Sequence, residues 1–290
     1  MPRLTELQTR VTSLLQLTEV VSAMRSLSAA RVQQAHDRIS SIRQYASVVE
    51  GAHGDVLSGL AVPPEPAANE TTGPGAVIVF GSEHGFVGAF NDRLLERAIP
   101  ELRGAEEQLC VVGSRALIAA RERSLSVAWS SPSASHVDGI SDVGLRVAEH
   151  ISAVVTDRDL QRVVLVYARG SVGTTWRVVT ETLLPFDVRP FRPRHQRRPS
   201  PLSNLSTKPL LSALVDELVF AQLNHVAAES FASENISRLA AMESAHDNVG
   251  RKLDELQRLE SALRQEEITT ELLDIVTGAE AMSSGRSNTR

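Results

Sequence analysis

Only 4 % of the 290 residues are aromatic, and there is a single cysteine. One thiol forms no intrachain disulfide, and Cys110 lies in the apolar run Leu109-Cys110-Val111-Val112. It therefore reads as a buried strand residue and not as a redox centre. With so few aromatics, an ordinary apolar content of 42 % is the mix expected when much of the mass is helix seam and not wide core. There is no excess of basic charge: the net charge is −5 and the pI near 5.9, which argues against a dedicated nucleic-acid binder. No run reads as long enough for a membrane-spanning helix, and the first residues lack a basic-then-apolar signal pattern. The expectation is a cytoplasmic chain without direct membrane insertion, which can still belong to a membrane complex.

Catalytic signatures are missing too. The eight histidines are scattered, with no His-Glu-x-x-His and no cysteine–histidine cluster, so no metal and no cofactor are expected. No Gly-x-Ser-x-Gly marks a hydrolase elbow. The stretch Gly81-Ser82-Glu83-His84-Gly85-Phe86-Val87-Gly88 is glycine-rich and follows a strand, as a phosphate cradle would. Its spacing matches neither Gly-x-Gly-x-x-Gly nor a P-loop, so glycines easing a tight turn are the favoured reading. Glu83 and His84 are adjacent on that turn, where side chains diverge, and no nucleophile stands beside them.

What the chain does have is two long, narrow apolar seams at its ends. From Leu4, a seven-residue frame aligns Leu4, Leu7, Val11, Leu14, Val21, Val32, Ala35, Ile39, Ile42, Ala46 and Val49, interrupted at Thr18, Arg25 and Ser28. Between Phe231 and Met282 a similar frame aligns Leu239, Met242, Val249, Leu253, Leu256, Leu263, Ile268, Leu272, Ile275 and Ala279. Such seams are what coiled-coil strands show one another. The simplest solution is an antiparallel pair, each helix on the order of 70 Å long, with the segments around Val21 and Leu256 in register.

Between the ends lies an alternation of short apolar runs and helical patterns that favours an open α/β layer. Strands are expected at residues 76–80, 108–112, 127–129 (an edge), 163–167 and 176–184, the last antiparallel. Helices are expected at 91–102, disturbed by Pro100, and at 115–123 and 143–155. Proline and glycine between Ala61 and Gly75 mark a linker. A second break, 185–201, holds Arg189, Arg192, Arg194, Arg197 and Arg198 among prolines. It reads as a solvated loop kept extended by proline, with a basic contact strip as the sharper alternative. The fold class is α/β: a long antiparallel coiled coil with an inserted open, Rossmann-like domain. The expected divisions are helix 1–60, domain 76–203, helix 209–282 and a disordered tail 283–290.

One stretch carries more than periodicity. Ala232-Ser233-Glu234, Arg238-Leu239-Ala240-Ala241-Met242, Asp247-Asn248, Arg264-Gln265 and Ile268-Thr269-x-Glu271-Leu272-x-x-Ile275-Val276-x-Gly278-Ala279 closely resemble the C-terminal helix of the gamma subunit of F-type ATP synthases. Ala23-Met24 with Ser28-Ala29-Ala30-Arg31 resembles that family's first helix, and Gly85-Phe86-Val87-Gly88-Ala89-Phe90-Asn91 its central glycine turn. There are departures: Val20-Val21 stands for Ile-Thr, Glu83-His84 for Asp-Arg or Glu-Arg, and Ser261 for Asn. Met24-Arg25-Ser26-Leu27, the turn and the run Arg264 to Glu271 look most like the alternative, N-type branch, thought to pump sodium ions.

The resemblance implies a rotor shaft inside a ring of alpha and beta subunits, with the globular domain near epsilon and the membrane c-ring. The complex would lie peripherally on the cytoplasmic face of the cell membrane, and nucleotide chemistry would belong to alpha and beta. By motif, Arg264 and Gln265 match catch residues facing a beta-subunit loop, Thr269 and Glu271 match coupling positions, and Met24 and Arg25 match the opposing part of the first helix. Two readings compete: an α/β nucleotide-binding enzyme with helical arms, and a generic coiled-coil scaffold. The coupling ion, proton or sodium, is not written in this chain.

Overall fold

A computed structural model describes residues 2–58, 74–104, 107–158, 160–170, 175–185 and 206–286. The linker up to residue 73 and the Arg/Pro break from 186 onward lie outside the described residues. The chain forms two compact units, Ser26–Ala241 and Met1–Arg25 with Met242–Arg290.

The larger unit is built on a five-stranded sheet of order β3-β2-β1-β4-β5, formed by β1 (Gly75–Phe80), β2 (Gln108–Val112), β3 (Val127–Ser131), β4 (Arg162–Gly170) and β5 (Trp176–Leu184). The first four strands are parallel, and β5 returns antiparallel to β4. Helices are α1 (Pro2–Ser58), α2 (Phe90–Ala98), α3 (Ser114–Glu122), α4 (Ile140–Arg158) and α5 (Thr207–Arg286). Pro100 sits in a 3₁₀ turn, Ile99–Glu101, that closes α2 early, because proline supplies no N–H for another helical bond.

The central strands are apolar throughout because both faces are covered. Alternate residues point opposite ways. Ile78, Phe80, Cys110, Leu165 and Tyr167 face α1, α4 and α5 through Ala35, Ile39, Ile42, Val143, Val147, Leu223, Val226 and Phe231. Val77, Val79, Val111, Val164 and Val166 face α2 and α3 through Phe90, Leu94, Leu95, Ala116 and Ala120. Parts of both terminal helices, expected to be shaft alone, are therefore core elements of the sheet domain.

Helix α5 holds a window of mean hydropathy 1.2 within Pro209–Thr277, apolar enough to cross a membrane by length and composition, contrary to the sequence expectation. Of that window 33 % is buried within the chain, and Leu223, Val226, Ala227, Ala228 and Phe231 of this helix pack under the sheet.

In the smaller unit, Leu7 and Val11 pack on Leu256, flanked by Leu14, Leu253 and Leu263, and Gln8 donates to Glu260 at 3.3 Å. The helices are antiparallel, but Leu256 meets Leu7 and Val11 and not the level of Val21. Every seam position named in α1 is buried or half-buried. The α5 seam stops earlier: Ile268, Leu272 and Ile275 are exposed at 51 %, 58 % and 68 %. Leu263 is the last α5 residue that packs in the cluster with Leu7 and Val11. The side chain of Ala279 lies outside those described. Helix α5 extends through Arg286, beyond the expected end at Met282, and residues 287–290 lie outside the described residues.

Three histidines give the fold an acid-sensitive component. Burial lowers the pKa of His53, His150 and His225. The His150 ring stacks on Trp129 at 4.2 Å and 5°, with its Nε2 3.6 Å from Cys110 Sγ. At His225, desolvation outweighs the Glu229 carboxylate 3.7 Å away, while Arg43 and Arg169 add to the lowering and Glu181 opposes it. The folded state then binds fewer protons than the unfolded chain below a pH of about 6.5. Stability from these groups is fully present above that pH and is lost as pH falls toward the lowered values. Urea midpoints measured from a pH of about 7.5 down to about 5.5, which spans the ordinary histidine pKa, should fall with pH, and His225→Gln should flatten the slope. A wild-type midpoint that does not change across this window would overturn the assignment.

Candidate functional site

Open α/β sheets bind ligands outside the carboxyl ends of their strands, at the point where strand order reverses. In the order 3-2-1-4-5 that point lies between β1 and β4, and the turn Gly81–Gly88 sits there. Two glycines are demanded by close approach: a Cβ on Gly81 would lie 2.2 Å from Ala116 Cβ, and one on Gly113, at φ 112°, 2.6 Å from Ser82 O. They let the turns after β1 and β2 nest together.

The donors of this turn are occupied by the chain's own carboxylates. Glu83 and His84 N–H donate to Glu234 of α5 at 3.1 and 3.2 Å. Ser114 N–H, at the start of α3, and Ser133 N–H donate to Glu83 at 3.1 and 2.6 Å, and Ser114 Oγ donates to the same carboxylate at 2.6 Å. Two anion positions that a nucleotide phosphate would need are thus filled from within. Glu83 turns toward Ser114 and Ser133 while His84 is exposed, so the two do not form an acid/base pair.

Helix α5 clamps the turn. Ser230 Oγ donates to Phe80 O at 2.6 Å, and Ser237 Oγ to Val87 O at 2.8 Å. Arg238 reaches Gly85 O at 3.1 Å, His84 O at 3.3 Å, Asn235 Oδ1 at 3.1 Å and Glu234 at 2.5 Å. Glu234 and Arg238 are both buried. The sequence motif contains these residues but gives them no task. The available signal was an opposite-charge pair four apart inside a stretch of small, apolar residues.

Cys110 is buried, and burial pushes its thiol up to about 12, which leaves it inert at neutral pH. Among the described residues no group of three or more His, Cys, Asp or Glu could hold a metal ion.

The single-helix part of α5 carries the other sequence-predicted residues. Arg264 is exposed and pairs with Glu260 at 2.8 Å, one turn back. Gln265 is exposed along a shallow depression with Asp254, Gln257, Arg258 and Ser261. Thr269 Oγ1 donates to Gln265 O at 2.8 Å, and Glu271 is exposed. These four share one stretch of helix, interleaved with the exposed Ile268, Leu272, Leu273, Ile275 and Val276. Met24, half-buried, and Arg25, exposed, do not join them. They lie farther along α1 than Val11, by about 20 Å of helix beyond the contact with Leu256.

A family model described as ATP synthase matches residues 3–282. Among solved structures, the fold is similar to a chain of the Euglena gracilis mitochondrial ATP synthase rotor, with TM-score 0.65 and 15 % identity, covering 92 % of this chain and 99 % of that one. A chain in the OSCP/F1/c-ring structure of the same organism's enzyme gives 0.68 at 16 % identity, with coverages of 98 % and 96 %. A chain of the Tetrahymena thermophila mitochondrial ATP synthase central stalk and c-ring gives 0.53 at 16 %, covering 78 % and 99 %.

Proposed function

The chain belongs to the ATP synthase family that its residues 3–282 match, the gamma-subunit family of the F-type complex, and from that premise we propose that it is the complex's central rotor shaft. The observation that carries this reading is the single-helix end of α5. Large apolar side chains are exposed there beside Arg264, Gln265, Thr269 and Glu271, on a stretch that no other described element of the chain covers. An apolar stripe of this kind is tolerated in water only because it is narrow, and it suits a sleeve formed by other subunits.

In this reading the alpha and beta subunits form the ring around α5, and beta-subunit loops meet Arg264 and Gln265. Thr269 and Glu271 carry coupling contacts, and Met24 and Arg25 meet the ring at a separate level. The α/β domain contacts epsilon and the membrane c-ring, and the chain lies peripherally on the cytoplasmic face of the cell membrane. The shaft is non-catalytic: ATP is made or hydrolysed in the ring, and ion flow through the c-ring turns the shaft. Each beta subunit meets a different face of an asymmetric helix, so each is biased to a different state, and rotation exchanges the states. The filled anion positions at Glu83 and His84 support this over the nucleotide-enzyme alternative.

The test is reconstitution with alpha and beta subunits. A bead fixed to the α/β domain should rotate in one direction during ATP hydrolysis. A ring that hydrolyses ATP at the same rate without this chain, or a bead that does not turn, would overturn the reading.

A further inference from the structure

We propose that Glu234 and Arg238 are positioning residues that lock the rotational register of α5 on the α/β domain, a register on which coupling depends. The proposal rests on the rotor reading. The apolar contact of α5 with the sheet mixes large side chains, Leu223, Val226 and Phe231, with the small Ala227, Ala228 and Ala232. Apolar burial is non-directional. The polar contacts are directional. Along one face, Ser230, Glu234, Ser237 and Arg238 meet Phe80 O, the N–H groups of Glu83 and His84, Val87 O, and the carbonyls of His84 and Gly85.

A slip of one residue would break this whole set together and leave a buried carboxylate and guanidinium without partners. Buried ion pairs add little net stability over apolar residues but can enforce registry. Registry matters on a rotor. Helix α5 is continuous from Thr207 to Arg286, and one residue of slip turns every later side chain by about 100°. Arg264, Gln265 and Glu271 would then leave the face that meets the ring.

The experiment compares Arg238→Ala and Glu234→Gln in the assembled, membrane-reconstituted complex, measuring ATP hydrolysis and ions pumped per ATP. Hydrolysis should be retained while pumping per ATP falls about twofold or more, as expected when a registry device is removed. Amide exchange at Glu83 and His84 should accelerate while β1 and β4 amides stay protected.

A second lock separates registry from any other role of the pair. A Cβ on Gly144 would lie 2.9 Å from Asn224 Cγ, within reach of a disulfide joining α4 to α5. Adding Gly144→Cys and Asn224→Cys should restore pumping when oxidised and lose it again when reduced. Pumping at the wild-type ratio in both single variants would overturn the proposal, as would a loss that the oxidised crosslink does not restore. If Arg238→Ala fails to assemble, Glu234→Gln carries the same comparison. If the wild-type complex itself fails to pump, the rotor reading fails instead, and amide exchange on the isolated chain still reports whether the lock exists.

Discussion

Arg162→Ala should destabilise the α/β domain by about 3–5 kcal/mol, the range seen when one partner of a buried ion pair is removed. Arg162 opens β4, at the amino ends of the parallel strands, opposite the end that carries the glycine turn. Its guanidinium reaches Glu101 Oε2 at 2.7 Å, Glu107 Oε1 at 2.9 Å and Glu101 O at 3.0 Å. All three side chains are largely buried, with exposures of 9 % for Arg162, 13 % for Glu101 and 8 % for Glu107. Alanine would leave the buried Glu107 carboxylate without a cationic partner, while Glu101 would keep Arg97 at 3.0 Å and Arg103 at 4.0 Å. The chain after α2 would also lose the tie that Arg162 makes between Glu101, Glu107 and β4. Urea unfolding followed by far-UV dichroism reads the loss directly. Replacing Arg162, Glu101 and Glu107 together by Met and Leu should recover most of it, since an apolar triad carries no orphaned charge. An Arg162→Ala midpoint equal to wild type would show that the pair is hydrated in solution.

Arg264→Ala combined with Gln265→Ala should do the reverse: leave the isolated chain intact and cripple the complex. Both side chains are exposed, and the Arg264–Glu260 pair is a surface contact within one helix. Such pairs contribute little, so the change in unfolding free energy should stay within about 0.5 kcal/mol. In the proposed complex these groups meet a beta-subunit loop, and losing contacts worth about 1.4 kcal/mol at the rate-limiting geometry slows coupled turnover roughly tenfold. Thermal unfolding of the chain and ATP-driven pumping by the complex are the two measurements. Wild-type pumping from the double variant would remove Arg264 and Gln265 from the coupling surface. A large loss of chain stability would instead assign them to folding.

Local elements and the family were legible without coordinates. Uninterrupted apolar runs such as Val77-Ile78-Val79-Phe80 and Val163-Val164-Leu165-Val166 suit strands covered on both faces, and both lie at the centre of the sheet. The 176–184 strand and its antiparallel sense followed from the turn signal before it. The α1 stripe from Leu4 to Val49 is buried or half-buried at every position named. The ordered motif from Ala232 to Ala279 pointed to the family because the identity and order of its polar residues are not dictated by helix periodicity.

Packing settles what covers each stripe. Periodicity reports which face of a helix is apolar, but not what lies against that face, because the covering segment is distant in sequence and its register is set by the fold. Ile39 and Val11 look alike in the heptad frame, yet one lies in the core under the sheet and the other on Leu256. Leu263 and Leu272 both belong to the α5 seam, yet Leu263 packs with α1 and Leu272 is exposed. The glycine turn gives the same lesson. Its sequence offers backbone N–H groups to an anion, and only the fold shows that the anion is Glu234, 151 residues away from Glu83 along the chain. A buried charge pair is invisible to pattern reading because its partners are chosen by the fold and not by spacing along the chain.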